Sequence, residues 1–405
     1  MSWIDTTVGE FCPFIYGKGL PKTKRLVGEY PVYGSNGCVD FHNDFYINGP
    51  GIIIGRKGSV GAVHLSTQPF WPIDTAFYVT KSTLGELRFT YYLLKSLGLE
   101  KMNSDSAVPG LNRDNAHALP IRIPESPESR ELLGNQMALL DKKIAANSGV
   151  NQTLEQMAQA IFKSWFVDFD PVKAKMNGRR PEGMDSATAS LFPEKLVSET
   201  GLPEGWIQSE IGDEVTVVGG GTPSKKNDDF WVDGDIHWTS PKDLSGVQDK
   251  VLLDTASKVT EAGLRKISSG LLPIDTVLLS SRAPVGYLAL AKVPMAINQG
   301  YIAMKCEKLL PPEFVLQWCV HRMDEIKQRA SGSTFAEISK KSFKPISVVV
   351  PTGEVLSAYQ KLVKPLYDAI TSNARQNEQL SSLRDTLLPK LLSGELVPSS
   401  MVEEV

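Results

Sequence analysis

IPESPESRELLGNQ, residues 123–136, closes a glycine-containing, apolar-alternating stretch and opens a long helical pattern. VPTGEVLSAYQK, residues 350–361, does the same. Aligning Pro124 with Pro351 requires an offset of 227, and the helices that follow align at 226. Asn147 then meets Asn373, Leu154 meets Leu380, Ile161 meets Leu387 and Phe166 meets Leu392. Upstream, SVGAVHL (59–65) matches PVGYLAL (284–290) at an offset of 225. A nearly constant separation over three stretches marks two copies of one module of roughly 225 residues, each a mixed globular part followed by a helix.

The helices carry a narrow apolar stripe. In the first, Leu133, Met137, Leu140, Ile144, Asn147, Asn151, Leu154, Ala158, Ile161 and Trp165 advance by alternating steps of three and four. In the second, Leu356, Tyr359, Val363, Leu366, Ile370, Asn373, Asn377, Leu380, Leu383, Leu387 and Leu391 nearly keep that rhythm. This is a coiled-coil seam. Gly134 and Gly149 weaken the first helix, and Pro365 should kink the second or mark its true start. Neither helix is expected to be stable alone, and each copy supplies a partner for the other. Asn147, Asn151, Asn373 and Asn377 place amides in the stripe, which predicts antiparallel packing with these four residues in one polar layer and an internal pseudo-twofold repeat.

The globular parts read as strand-rich. Ile52–Ile54 and Thr276–Leu279 are short apolar runs bounded by Gly or Pro, and turn signals recur at 33–37 and 219–223. Leu84–Leu97 and Glu313–Arg329 read as short amphipathic helices. Residues 171–195, rich in Pro, Gly, Ser and charge, read as an exposed connector. Lys173, Lys175, Arg179 and Arg180 within it form a lesser candidate for touching DNA or a partner. The expected fold is α+β, with domains at 1–125 and 196–350. A central helix and linker occupy 126–195 and a C-terminal helix 351–405.

Composition narrows the class without naming a function. The 405 residues are 41% apolar and 22% charged, as in an ordinary globular protein of more than one domain. No apolar run reaches the ~18 residues of a membrane span, and MSWIDTTVGEF lacks the pattern of a secretory signal. Cys12, Cys38, Cys306 and Cys319 form no C-x-x-C pair and read as reduced thiols of a cytoplasmic protein. Net charge is −3, and no segment is strongly basic: residues 1–125 hold 12 Lys and Arg against 11 Asp and Glu, and residues 196–350 hold 17 against 19. Any contact with DNA must therefore come from local clusters.

Several strings, in this order and on this duplicated frame, resemble the specificity subunits of type I restriction–modification systems. They are Gly-Gly-Gly-Thr-Pro-Ser (219–224), Trp-Thr-Ser-Pro-Lys-Asp-Leu (238–244), Ser-Ser-Arg-Ala-Pro-Val-Gly (280–286), Ala-Ile-Asn-Gln-Gly (296–300) and Gly-Ser-Thr-Phe (332–335). The run from Phe162 to Pro171 and the closing Leu-Leu-Pro-Lys-Leu-Leu-Ser-Gly-Glu-Leu (387–396) add to the likeness. The resemblance covers essentially the whole chain. It implies two target-recognition domains that each read half of a split site in double-stranded DNA, with the helices as a ruler. It also implies a subunit without catalysis of its own, docking two methyltransferase subunits that motor-nuclease subunits join. The first domain departs from the pattern, with Gly55-Arg56-Lys57-Gly58-Ser59 opposite Ser281-Arg282-Ala283-Pro284, and Ile73-Asp74-Thr75 opposite Ile297-Asn298-Gln299.

A stand-alone DNA-modifying enzyme is one alternative. It would need a Gly-rich cofactor loop and an Asn/Asp-Pro-Pro-aromatic string, and the sequence has neither. Gly51 to Ser59 lacks the Gly-Lys-Ser/Thr ending of a phosphate loop. The five histidines are scattered, so no metal, cofactor or catalytic residue is expected. A coiled-coil scaffold that binds only proteins is the other alternative. On the DNA-reading interpretation, Arg56, Lys57, Arg282, Asn298 and Gln299 are candidate base readers, since Arg grips guanine and Asn or Gln grips adenine with paired bonds. Lys18, Lys22, Lys24, Arg25, Lys225, Lys226, Lys340, Lys341 and Lys344 are candidates for phosphate contact. Asn298 and Gln299 have a competing role, tying down a turn.

Overall fold

A computed structural model describes residues 2–102, 110–332 and 336–396. Two compact units divide the chain, Met1–Ala145 with Glu378–Val405, and Ala146–Asn377.

In the first unit, β1 (Trp3–Thr7) runs into α1 (Val8–Phe11), where Thr7 and Glu10 form a reciprocal capping box. There follow β2 (Ile15–Tyr16), β3 (Tyr30–Gly34), β4 (Gly37–His42), β5 (Gly51–Gly55), β6 (Val63–Ser66), β7 (Trp71–Pro72) and β8 (Ala76–Val79). Next come α2 (Leu84–Ser96), α3 (Arg113–His117), β9 (Pro120–Pro124) and the start of α4 (Pro127–Phe166). The sheets run β2-β8-β5-β6 and β4-β3-β7, with β1 pairing β9. Strand β5 is buried on both faces, which explains a run of three isoleucines where a half-exposed strand would alternate. Ile52 and Ile54 join the main core with Val8, Phe77 and Leu87, while Ile53 joins Phe70, Ala76 and Tyr78.

The second unit repeats this plan. It contains α5 (Asp170–Met176), α6 (Ser186–Ser190), β10 (Ile207–Glu210), α7 (Ile211–Glu214), β11 (Thr216–Val218), β12 (Ile236–Thr239), α8 (Pro241–Leu244), β13 (Val251–Leu252), β14 (Ser257–Val259) and α9 (Glu261–Leu264). Then follow β15 (Val277–Ser280), β16 (Leu288–Ala291), β17 (Ala296–Ile297), β18 (Tyr301–Lys305), α10 (Pro312–His321), α11 (Met323–Gln328), α12 (Lys340–Phe343), β19 (Ser347–Val350) and α13 (Gly353–Ser393). Its sheets run β11-β18-β15-β16-β13 and β14-β12-β17, so among the described residues the added strand is β13 at one edge.

Strand registers prove the repeat residue by residue. Ile52 faces Leu65 and Val79, and Val277, 225 positions on, faces Leu290 and Met304. Ile4 faces Ile123 and Ile207 faces Val350. The first strand of the module is therefore displaced by 203 residues, and the second copy carries 22 more residues between that strand and the central hairpin. Trp3-Ile4 to Gly9-Glu10 and Trp206-Ile207 to Gly212-Asp213 are the matching strings, a similarity the offsets of 225–227 alone do not reveal.

Within the second unit α4 and α13 run antiparallel. Asn147 bonds Asn377, Asn151 bonds Asn373 and Glu155 bonds Tyr367, so numbers rise on one helix as they fall on the other. Ala158, Phe162, Trp165 and Phe166 pack there with Phe314, Leu356, Tyr359, Val363 and Tyr367. Each fully buried side chain of this size contributes about 1.5–3 kcal/mol. In the first unit Asp141 pairs with Arg384 at 2.7 Å, and Leu133 and Met137 share a core with Leu388 and Leu391.

Four expectations need correction. Pro365 does not mark the start of α13, which already runs from Gly353; buried Val363 and Tyr367 on either side hold the helix through the missing N–H. Leu383, placed on the seam, is 45% exposed, because the stripe drifts toward Leu388 as a 3.6-residue turn outpaces a 3.5-residue repeat. Glu313–Arg329 is two helices, divided at Arg322. The connector at 171–195 is not simply exposed: α5 and α6 insert Val172 and Ala189, and Phe192 follows, into the core of the second unit.

Candidate nucleic-acid interface

The second unit forms an open cleft beside the glycine loop at 219–221, lined by Thr222, Lys225, Trp238, Ser240, Lys242, Asn298 and Gln299 among others. Backbone contact builds it. The Gly221 N–H donates to the Ile297 carbonyl at 2.9 Å, and a Cβ on Gly220 would lie 1.8 Å from the same oxygen. Only glycine allows the loop so close. Two indoles fix its far side: Trp238 Nε1 donates to the Gly221 carbonyl at 3.0 Å and Trp231 Nε1 to the Ser224 carbonyl at 3.1 Å, with the rings edge to face.

On this frame Asn298 Oδ1 accepts from the Gly300 N–H at 2.8 Å, and Thr222 Oγ1 donates to Gln299 Oε1 at 2.6 Å. Both residues thus tie down the loop, yet each retains an NH2 group and a carbonyl lone pair, the pair of functions adenine requires. The acidic groups of the cleft are committed elsewhere. Asp243 accepts from the Ser240 and Ala256 N–H groups at 2.7 and 3.0 Å, and Asp254 lies 3.0 Å from His237. Lys225 and Lys242 stand exposed at the rim, with Lys226 exposed next to Lys225 in sequence. Lys340, Lys341 and Lys344 are also exposed; Lys340 Nζ approaches Gly219, since a Cβ there would lie 3.4 Å from it. Arg282 follows Ser281, whose N–H donates to the Gly300 carbonyl at 2.8 Å, and its guanidinium lies 3.8 Å from Glu337. Of the string at 332–335, residues 333–335 lie outside the described residues.

The first unit uses the same frame with other side chains. The Lys18 N–H donates to the Pro72 carbonyl at 2.9 Å, and a Cβ on Gly17 would lie 2.2 Å from the Ile73 carbonyl. Trp71 Nε1 donates to the Lys18 carbonyl at 2.8 Å, performing from another strand the task of Trp238. Pro72 pairs with Tyr33 as Ile297 pairs with Thr239, so the sequence alignment of Ile73 with Ile297 is corrected by one residue, and Ile73 and Asp74 occupy the places of Asn298 and Gln299. Lys18 lies over the Tyr46 and Trp71 rings, while Lys22, Lys24 and Lys57 are exposed. Arg25 is held differently: its side chain is 9% exposed and bonded to the Leu20 carbonyl and Asp40, which ties down the loop. Arg56 is half-buried, donates to the Asp74 carbonyl at 2.9 Å and lies over Tyr16. Tyr16 and Arg113, which also lies over Tyr16, escaped the sequence reading because positions 16, 56 and 113 share no local pattern.

The polar residues of the helix seam form two rungs. Asn147 Nδ2 donates to Asn377 Oδ1 at 2.9 Å and to Gln376 Oε1 at 2.8 Å; one turn away Asn373 Nδ2 donates to Asn151 Oδ1 at 2.8 Å. Among the connector cations Lys175 is drawn inward to the Phe192 carbonyl and Glu194, while Lys173, Arg179 and Arg180 remain exposed. Among the described residues no group of three or more His, Cys, Asp or Glu is placed to hold a metal, and no helix is long and apolar enough to cross a membrane.

Comparison with known proteins agrees with this duplicated frame. A family profile described as the type I restriction modification DNA specificity domain matches residues 2–156 and 203–382. The type I restriction enzyme HindI specificity subunit of Haemophilus influenzae is 29% identical over 331 residues, 71% of each chain. The MjaIX specificity subunit of Methanocaldococcus jannaschii is 30% identical over 189 residues, 45% of this chain and 42% of that one. A solved S subunit of a type I restriction–modification system from M. genitalium covers 97% of this chain with a TM-score of 0.58 at 16% identity, a likeness of fold. With the family profile spanning most of the sequence in two repeats, this chain belongs to the type I restriction–modification DNA specificity family.

Proposed function

We propose that the chain recognises a split DNA sequence, each domain reading one part, and directs methyltransferase and motor-nuclease subunits to it without catalysing a reaction or holding a cofactor itself. One observation carries this reading. Two copies of a single backbone frame present different side chains at the same place, Ile73 and Asp74 in one and Asn298 and Gln299 in the other. A scaffold that only packs against proteins has no need of such divergence on so closely kept a frame. Paired readers of unlike half-sites do. The cytoplasm is the compartment this role requires.

The near-neutral charge supplies little of the phosphate attraction that drives duplex affinity, so tight binding should depend on the methyltransferase subunits. Selection of preferred duplexes from random DNA by the assembled complex tests the proposal. Two separate blocks of fixed bases are expected. Salt-insensitive binding, or none, would favour a scaffold, and S-adenosylmethionine binding by the isolated chain would favour a stand-alone enzyme.

A further inference from the structure

Tyr16, at the end of β2, is 46% exposed and carries two cations on its ring. The Arg56 guanidinium carbon lies 4.9 Å from the ring centroid and that of Arg113 lies 5.1 Å from it. The two like charges are thus within about 10 Å of each other on one aromatic platform. Little neutralises them. Arg56 has no carboxylate within 4.0 Å among the described residues; Arg113 has only its neighbour Asp114, at 3.4 Å, whose side chain is 83% exposed. A pair so exposed contributes little.

We propose that Arg56, Tyr16 and Arg113 form a clamp for one backbone phosphate of DNA, and that Arg56 positions the first domain on the duplex instead of reading a base. The inference rests on the DNA-recognition reading above. Arg56 is fixed by stacking on Tyr16 and Phe77 and by its bond to the Asp74 carbonyl. That leaves a rigid, planar charge with free N–H groups, suited to a phosphodiester. The second domain gives independent support. Asn112 caps α3 and Ser339 caps α12, 227 positions apart, so Arg113 corresponds to Lys340. Ile15 faces Tyr78 and Val218 faces Ala303, so Tyr16 corresponds to Gly219. Lys340 approaches Gly219 just as Arg113 approaches Tyr16. The charge of Arg113 is kept as Lys340 although the platform has changed and Ser281 stands in the place of Arg56, as expected where the shared cation meets the invariant backbone and not a particular base.

The test uses the full chain assembled with its methyltransferase subunits, and random-sequence duplexes at several salt concentrations. Arg56→Gln and Arg113→Gln should each weaken binding to all sequences several-fold and flatten the logarithmic salt slope by about 1, with Arg113→Lys restoring the slope. The bases selected by both domains should stay as in the parent complex. Altered bases in one half-site with an unchanged slope would make Arg56 a reader and overturn the clamp, as would no change in either measure. A parent complex that binds no duplex would instead sink the DNA-recognition reading itself, and the clamp with it. Measuring the unfolding midpoint of each variant separates a lost contact from a lost fold.

Discussion

Asn373 donates its side-chain amide to Asn151 Oδ1 at 2.8 Å, and the Asn151 Nδ2, fully buried, has no partner among the described residues. Turning the Asn151 amide over would set two donors face to face, so the orphan group is built into the rung. A buried donor without a partner costs about 1–3 kcal/mol, and a seam asparagine is retained where it fixes register. Asn373→Leu should therefore destabilise the chain by about 1–3 kcal/mol, because it strands the second polar atom of Asn151 as well. The double variant Asn151→Leu with Asn373→Leu should regain that loss or exceed the parent. Chemical denaturation of the three proteins checks this, and a double variant weaker than the single would refute it.

Glu155 lies four residues further along α4 and is held by Lys250 at 2.7 Å, with Gln317 at 3.0 Å and the Tyr367 hydroxyl at 2.7 Å. Burial alone pushes its carboxyl up, but Lys250 and the donors around it prevail and hold it below the ordinary value of 4.5. A carboxyl depressed in the folded state stabilises above its unfolded value, and that stability is lost as pH falls through the folded value. The parent should accordingly begin to lose this contribution only below about pH 4.5. Lys250→Met should cost about 3–5 kcal/mol at pH 7, since it leaves an uncompensated buried charge. Its deficit should shrink toward pH 4, where Glu155 can take up a proton. Denaturation at several pH values reads the difference; a deficit independent of pH would assign the loss to packing.

The repeat and the helical seam were legible in the sequence because both depend on spacing along the chain. Asn147 and Asn151 stand one turn apart in any helix, and a rung follows once a second helix carries Asn373 and Asn377. The full extent of the repeat was not legible, because the 22 additional residues of the second copy break the offset and detach Trp3-Ile4 from Trp206-Ile207. The site was legible by residue type at Asn298 and Gln299, but not by environment. Arg25 looks like any surface arginine until the fold brings Asp40 and the Leu20 carbonyl to it. Tyr16 and Arg113 belong to elements far apart in sequence that only the fold brings together. Pro365 shows the converse, a possible helix start overruled by packing on both sides of it.

The glycines of the two loops supply a paired test. A Cβ on Gly220 would stand 1.8 Å from the Ile297 carbonyl, and one on Gly17 would stand 2.2 Å from that of Ile73. Both obstacles are backbone, which cannot yield as a side chain can. Gly220→Ala should therefore displace the loop, cost about 1–3 kcal/mol and degrade recognition by the second domain alone. Gly17→Ala should do the same for the first. Selection from random DNA by each variant complex reads out which block of bases is lost; loss of both blocks from either substitution would mean global unfolding.

The last prediction concerns the residues that face the cleft. Gln299 is oriented by Thr222, and Asn298 by the Gly300 N–H, so each presents its remaining amide functions in a fixed direction. If Gln299 grips an adenine edge, Gln299→Ala should relax one position of one half-site by about 1–3 kcal/mol and leave the other half-site unchanged. Thr222→Val keeps the shape of the side chain but removes the hydroxyl that steers Gln299. It should weaken discrimination at that same position by a smaller amount while sparing overall affinity. Lys225→Ala, at the exposed rim, should behave oppositely, weakening all sequences alike and flattening the salt dependence by about 1. The contrast distinguishes reading from mere anchoring of the loop. An anchoring role predicts that Gln299→Ala and Thr222→Val disturb several positions together and lower the unfolding midpoint. Relaxation confined to that one position, larger for Gln299→Ala than for Thr222→Val and at full stability, is what a reader and its support should give.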